Sequence, residues 1–239
     1  MSLRTKIIQK LLHLNEGIFF YPKLRRFYRG VLKKENPQIL DIGANKGQSI
    51  DFFLGIFPAA NIDAFEPNQK LFSMLTLKYR GFGNVKLHNL GVSNINGKLE
   101  FNENALDETS TFETLNFDSD YLKKKARILG MDAKDIIVDR YEVEVVRLSD
   151  TIRGSDKAYD VLKIDVEGHE LQVLQGLFDE SQQRWPIRFI QLESHSDDMY
   201  LNHDRHSEIE DLLRKNGYAR RTEIKHGFGN FAEIIYEQQ

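Results

Sequence analysis

The sequence predicts an open α/β fold: a mostly parallel, seven-stranded sheet with helices on both faces and an antiparallel C-terminal hairpin. Three observations carry this expectation. From residue 37, short apolar runs alternate with helix-length segments, the pattern of a parallel sheet covered on both sides. The first run, Gln38–Ile42, leads into a glycine-rich turn, and an acid, Glu66, ends the next apolar run. The last two runs, 218–224 and 231–236, are separated by Lys225-His226-Gly227-Phe228-Gly229-Asn230, a short glycine-containing link that fits an antiparallel hairpin.

The elements follow in order. Residues 1–36 form a basic helical segment, with Ile7, Ile8, Leu11, Leu12 and Leu14 at helical spacing. Residues 37–239 form the main domain. Strand one is Gln38–Ile42, and a helix over 46–57 stops at Pro58. Strand two is Asn61–Phe65. Pro67 is well placed to open the next helix, which runs to Arg80 before Gly81 and Gly83. Residues 85–92 read as strand three. The alternation then breaks over 94–150. Two half-exposed strands, 97–102 and 141–147, flank a polar loop and a charged helix over 119–129. This insertion is expected at the carboxyl end of the sheet, as a cover for the substrate. Residues 161–164 and 187–192 resume as buried strands. Helices are expected over 168–178 and over 206–216, where Gly217 ends the second.

A chain of 239 residues can bury one good core, and its net charge is −3. There is no cysteine, which excludes disulfides, thiolate nucleophiles and cysteine-bound zinc. No apolar run approaches the roughly 20 residues that span a bilayer, and the start lacks a signal-peptide pattern. A soluble cytoplasmic protein is therefore expected. Charge is uneven: residues 1–34 hold nine Lys or Arg against Glu16 alone. This stretch is read either as a peripheral contact with anionic membrane or as a lid over the cofactor cleft, and the lid is favoured. Nucleic acid is not expected as a partner, because the main domain is acidic and carries no aromatic-basic RNA motif. Oligomeric state is not legible.

The turn itself reads Asp41-Ile42-Gly43-Ala44-Asn45-Lys46-Gly47-Gln48. Glycine admits close backbone approach, a helix N-terminus favours negative charge, and an acid after strand two can take two ribose hydroxyls. The pattern is D-x-G-x-x-x-G rather than the G-x-G-x-x-G of a dinucleotide site. A carboxylate at Asp41 would repel a pyrophosphate but could hold an ammonium. This points to S-adenosyl-L-methionine rather than NAD. Asp165, Glu193 and His195 end strands four and five, where they would converge near a donor methyl and take the proton of a hydroxyl acceptor. The alternative for Asp165 is a helix N-cap. No tight metal-ligand spacing is present, and no metal is expected. Two other readings stand beside this one: an NAD-dependent oxidoreductase, and a non-catalytic binding module.

Asp41-Ile42-Gly43-Ala44-Asn45-Lys46-Gly47-Gln48, Phe65-Glu66-Pro67-Asn68, the block Leu162-Lys163-Ile164-Asp165-Val166-Glu167-Gly168-His169-Glu170, and Gly176 together resemble the FkbM family of S-adenosylmethionine-dependent methyltransferases. The resemblance spans residues 37 to about 220. It implies a class I methyltransferase-type, Rossmann-like fold and O-methylation of a sugar, glycan or related small-molecule acceptor. By resemblance, Asp41, Gly43, Ala44, Asn45, Gly47 and Gln48 would hold the methionine moiety. Glu66, with Pro67 beside it, would take the ribose, Asn68 would lie by the adenosine, and the third-strand exit around Gly91 would edge the adenine. Asp165 and Glu167 would line the reaction centre. Ser110, within Thr109-Ser110-Thr111, and His169 would face the acceptor. His169 and Lys46 depart from the family pattern.

Overall fold

The computed structural model describes residues 20–105, 109–153, 157–178, 185–195, 198–201, 205–226 and 231–239, with the backbone alone for His195. The expected amphipathic stretch at Ile7–Leu14 lies outside the described residues. Helix α1 (Tyr21–Val31) precedes strand β1 (Gln38–Ile42), α2 (Gln48–Ile56), β2 (Asn61–Phe65), α3 (Gln69–Tyr79) and β3 (Val85–His88). Next come β4 (Gly91–Ser93), β5 (Gly97–Asn104), α4 (Asp120–Leu129), β6 (Ile137–Arg147) and α5 (Leu148–Ile152). The chain ends with β7 (Tyr159–Ile164), α6 (Glu170–Leu177), β8 (Ile187–His195), α7 (His206–Lys215), β9 (Tyr218–Lys225) and β10 (Phe231–Gln238).

The main sheet has seven strands in the order β3-β2-β1-β7-β8-β10-β9. All pairs are parallel up to β8, and β10 runs antiparallel to both β8 and β9. The expected mostly parallel sheet with an antiparallel C-terminal pair is therefore present. Strand alternation gives the sheet two cores. Ile39, Val161, Phe189 and Ile235 pack with Leu24 and Tyr28 of α1, Phe53 of α2 and Leu75 of α3. Leu40, Ile42, Leu162, Ile164 and Ile190 pack on the other face with Leu148, Val173, Leu174, Leu177 and Leu213. The α1 helix presents its apolar side to the sheet, while Lys23, Arg25, Arg26 and Arg29 face water. Among the described residues, no helix is long and apolar enough to cross a membrane.

Two expectations are corrected. Residues 85–92 are not one strand. β3 stops at His88 and β4 belongs to a separate three-stranded sheet, order β4-β6-β5. The break falls at Asn89, whose amide side chain donates to the carbonyls of Glu66 (2.9 Å) and Pro67 (3.1 Å). The insertion strands are also longer than read, at 8 and 11 residues. The added residues, Ile137–Arg140 and Glu103–Asn104, are mostly polar and pair across the β5–β6 ladder.

The insertion has its own core, in which Leu122 and Ala126 of α4 meet Leu115, Met199 and Tyr200. It is tied to the main sheet where α6 passes β4. A Cβ on Gly176 would lie 2.0 Å from the Ser93 carbonyl oxygen. Alanine in a helix gains about 1 kcal/mol over glycine, whereas overpacking a tight contact costs about 1–3 kcal/mol. Gly176→Ala is therefore expected to lower the urea unfolding midpoint. A raised midpoint would show that α6 and β4 part freely.

Candidate functional site

The turn after β1 is built by backbone bonds and one buried carboxylate. Gly43 has φ 86°, and the N–H groups of Gly43 and Ala44 both donate to the Phe65 carbonyl at 3.0 Å. A Cβ on Gly43 would sit 1.9 Å from the Asp165 carbonyl oxygen, so only a hydrogen fits between the two strand ends. Asn45, at φ 48°, donates its N–H to Glu66 Oε2 at 2.8 Å. Glu66 Oε1 accepts the Asn68 N–H at 2.8 Å. The Glu66 side chain is thus fixed between the turn and the β2 exit. Gly47 caps α2, and the Tyr79 hydroxyl donates to its carbonyl at 2.9 Å. Gln48 accepts the Lys46 N–H through its side-chain oxygen at 3.1 Å.

Three residues expected at the cofactor sit differently. Asp41 has no exposed surface: alternation turns it under α2, where the Ser49 hydroxyl donates to it. Burial raises its carboxyl, opposed by Lys163 and Ser49. Asn68 spends its side-chain oxygen capping α3, accepting from the N–H groups of Lys70 (2.9 Å) and Leu71 (3.1 Å). Gly91 leads into the second sheet and is pressed against Phe112 and Val145; the residue of this exit that reaches Glu66 and Pro67 is Asn89.

Across the Gly43 contact lies a group of carboxylates. Asp165, Glu167 and Glu193 bring oxygens within 4.8 Å of one another. Lys163, two residues before on the same face of β7, donates to Asp165 at 2.9 Å. Asp165 keeps 32% of its side-chain surface, yet loss of water raises its carboxyl well above the usual range. Lys163 opposes that rise, and Glu193, Glu167 and Glu233 add to it. Asp165 is not a helix cap, since His169 holds the N-cap of α6. Glu167 has φ 53° and accepts from the Tyr200 hydroxyl at 2.8 Å; its carbonyl accepts from Thr111 at 2.7 Å. The insertion therefore reaches the β7 exit. His195 lies at the end of β8, with its side chain outside the described residues.

The two expected acceptor contacts in the D-V-E-G block and the insertion loop are turned inward. His169 is buried, with Nδ1 2.7 Å from Glu113 and Nε2 2.9 Å from Ser93. The arrangement resembles a hydrolytic relay, but Ser93 has no exposed surface, so no substrate can reach it. Its work is to clamp the insertion to α6 and β4. The Ser110 hydroxyl accepts the Asn104 N–H at 3.0 Å, within the same loop. The polar loop is thus largely a buried network rather than a solvated one.

Glu233 and His226 were not anticipated. Glu233 pairs in register with Glu193 and is 4% exposed. Its position inside the apolar run 231–236 was the one available signal, since a buried acid in a central strand needs a partner.

Fold and site together define a Rossmann-like methyltransferase architecture. The sequence matches the methyltransferase FkbM domain over residues 41–219, and the chain belongs to that family. It is 30% identical over 231 residues to the 31-O-demethyl-FK506 methyltransferase FkbM of Streptomyces tacrolimicus, covering 87% of this chain and 84% of that protein. It is 26% identical over 155 residues to the 2-O-methyltransferase NoeI of Sinorhizobium fredii (strain NBRC 101917 / NGR234), covering 64% of this chain and 63% of that one. In fold it is similar to the magnesium protoporphyrin IX methyltransferase ChlM of Synechocystis PCC 6803, solved with bound SAM. The TM-score is 0.54 at 11% identity, over all of this chain and 85% of that one. Family membership decides against the oxidoreductase alternative.

His169→Ala would remove the ring that bridges Glu113 and Ser93 in a buried site, leaving Glu113 to Gln172 and Ser93 to Asn94. A loss of about 1–3 kcal/mol is expected in urea unfolding. Unchanged stability with a raised KM would return His169 to the acceptor.

Proposed function

We propose that this chain transfers a methyl group from S-adenosylmethionine to a hydroxyl of a sugar or related small-molecule acceptor. The observation that carries this reading is the placement of Glu66 against the glycine turn, with Asp165 directly across the Gly43 contact. The two relatives named above are described as O-methyltransferases, which supports a hydroxyl acceptor.

The residues fit such a donor. Glu66 is a carboxylate, an acceptor suited to ribose hydroxyls, and it is held directly against the backbone of the glycine turn. Asp41 is held from below by Ser49. The donor supplies an electrophilic methyl group on a sulfonium and departs as the neutral thioether. The chain's own work is to align the acceptor, exclude water and remove the hydroxyl proton. Asp165 is the proton acceptor in this reading. Loss of water, and then its neighbouring carboxylates, keep it more basic than a free aspartate, while Lys163 opposes that rise and holds its orientation. Tyr200 and Glu167 close the acceptor side.

Two outcomes test the reading. Glu66→Gln keeps the size of the side chain but removes the charge that accepts ribose hydroxyls. A hydrogen bond to a charged group contributes about 1.5–3 kcal/mol, so the Kd for S-adenosylmethionine by calorimetry should rise about 10-fold or more. An unchanged Kd in a folded variant would mean that the ribose lies elsewhere. Asp165→Asn should leave that Kd within a few-fold while lowering turnover about 10²–10⁴-fold, measured as the +14 Da product from a panel of hydroxyl acceptors. Full turnover would remove Asp165 from the reaction.

A further inference from the structure

Beside the proposed reaction centre stands a group of side chains that the proposed transfer touches only through their charge on Asp165. Glu193 on β8 and Glu233 on β10 face each other directly in the antiparallel ladder. Like charges at such positions repel, and ladders ordinarily avoid them. Glu233 is also buried, and among the described residues its Oε2 has no hydrogen-bond partner. Leaving a carboxylate oxygen dry and unpaired is costly, so something positive is needed there. Gln191 bonds the Glu233 side chain, and among the described residues Lys163 and His226 are the groups whose charge favours its ionised form, but the Lys163 Nζ bonds Asp165 at 2.9 Å and stands beside Asp41 as well. One ammonium is set against Asp41, Asp165 and Glu233.

The third side chain is His226, at the end of β9. Its ring is stacked on Phe20 at 4.0 Å and 17°, which fixes its plane. Glu193, His226 and Glu233 each offer a ligand atom, and these lie within 4.8 Å of one another. Asp165, Glu167 and Glu193 form a second such triad, so Glu193 joins the two.

We propose that Glu193, His226 and Glu233 bind a divalent transition-metal ion of the Mn²⁺ class. Two carboxylates with one imidazole suit Mn²⁺ better than Ca²⁺ or Mg²⁺, which favour oxygen ligands throughout. The ion neutralises the facing glutamates, satisfies the free oxygen of Glu233 and ties the C-terminal hairpin to β8. Through Glu193 it lies next to Asp165, where a metal can hold an acceptor oxygen and make its hydroxyl more acidic. The site stands on its own residues and does not depend on the identity of the methyl donor.

The test uses the purified full chain, stripped with EDTA and titrated with Mn²⁺ alone. Free Mn²⁺ is read by electron paramagnetic resonance, and the thermal midpoint is read in parallel. One bound ion per chain is expected, with a rise in midpoint on binding. Glu233→Gln and His226→Ala should each weaken Mn²⁺ binding at least about tenfold. Glu233→Gln also removes the like-charge pair, so its metal-free midpoint should equal or exceed that of the parent, which separates loss of the site from loss of the fold. Absence of stoichiometric binding at millimolar Mn²⁺ would overturn the proposal and leave a protonated Glu233 as the account of the pair. So would either variant binding Mn²⁺ as tightly as the parent. Donor binding measured without metal is a separate quantity, so neither result bears on the methyl-transfer reading.

Discussion

The arrangement of this protein depends on one contact, the approach of Gly43 to the carbonyl oxygen of Asp165. The end of β1 and the end of β7 meet so closely that no side chain fits between them. Hydrogen bonds hold the contact from both sides: the Asp165 N–H donates to Ile42, and the Gly43 and Ala44 N–H groups donate to Phe65. Three strand ends are thereby locked at one point of the sheet. On one side of it lies the glycine turn with Glu66. On the other lie Asp165, Glu167 and Glu193.

The second constraint is electrostatic. Strand alternation places Asp41, Lys163, Asp165 and Glu193 on the α1 face, and Glu233 joins them from β10 by cross-strand register. Burial raises both Asp165 and Glu233, with Lys163 opposing in each case. An apolar floor of Val161, Phe189 and Ile235 lies directly behind these groups. The acids are therefore confined to the carboxyl edge of the sheet, where open α/β folds place their ligands.

Much of this was legible in the sequence, and the exceptions have physical causes. The alternation of strands and helices, the glycine turn and Glu66 are local signals, and each strand of the main sheet falls where its apolar run lies. The insertion's two strands were legible by their alternation, but their full length and their pairing with β4 into a separate sheet were not, because those are set by cross-strand register. Asn68 and His169 were assigned by resemblance to ligand contacts. The structure gives Asn68 a helix-capping bond and His169 buried bonds to Glu113 and Ser93, since a residue type does not reveal which neighbour takes its hydrogen bonds. Glu233 and His226 were missed because their partners come from distant strands. No spacing rule can find ligands that only cross-strand register brings together.

The central claim is that the Gly43 contact divides a nucleoside side from a reaction side. A crystal structure with S-adenosylhomocysteine tests it most directly. The account predicts both ribose hydroxyls on Glu66 and the thioether sulfur on the Asp165 side of the contact. A nucleoside bound away from Glu66, or a sulfur pointing away from Asp165, would contradict it.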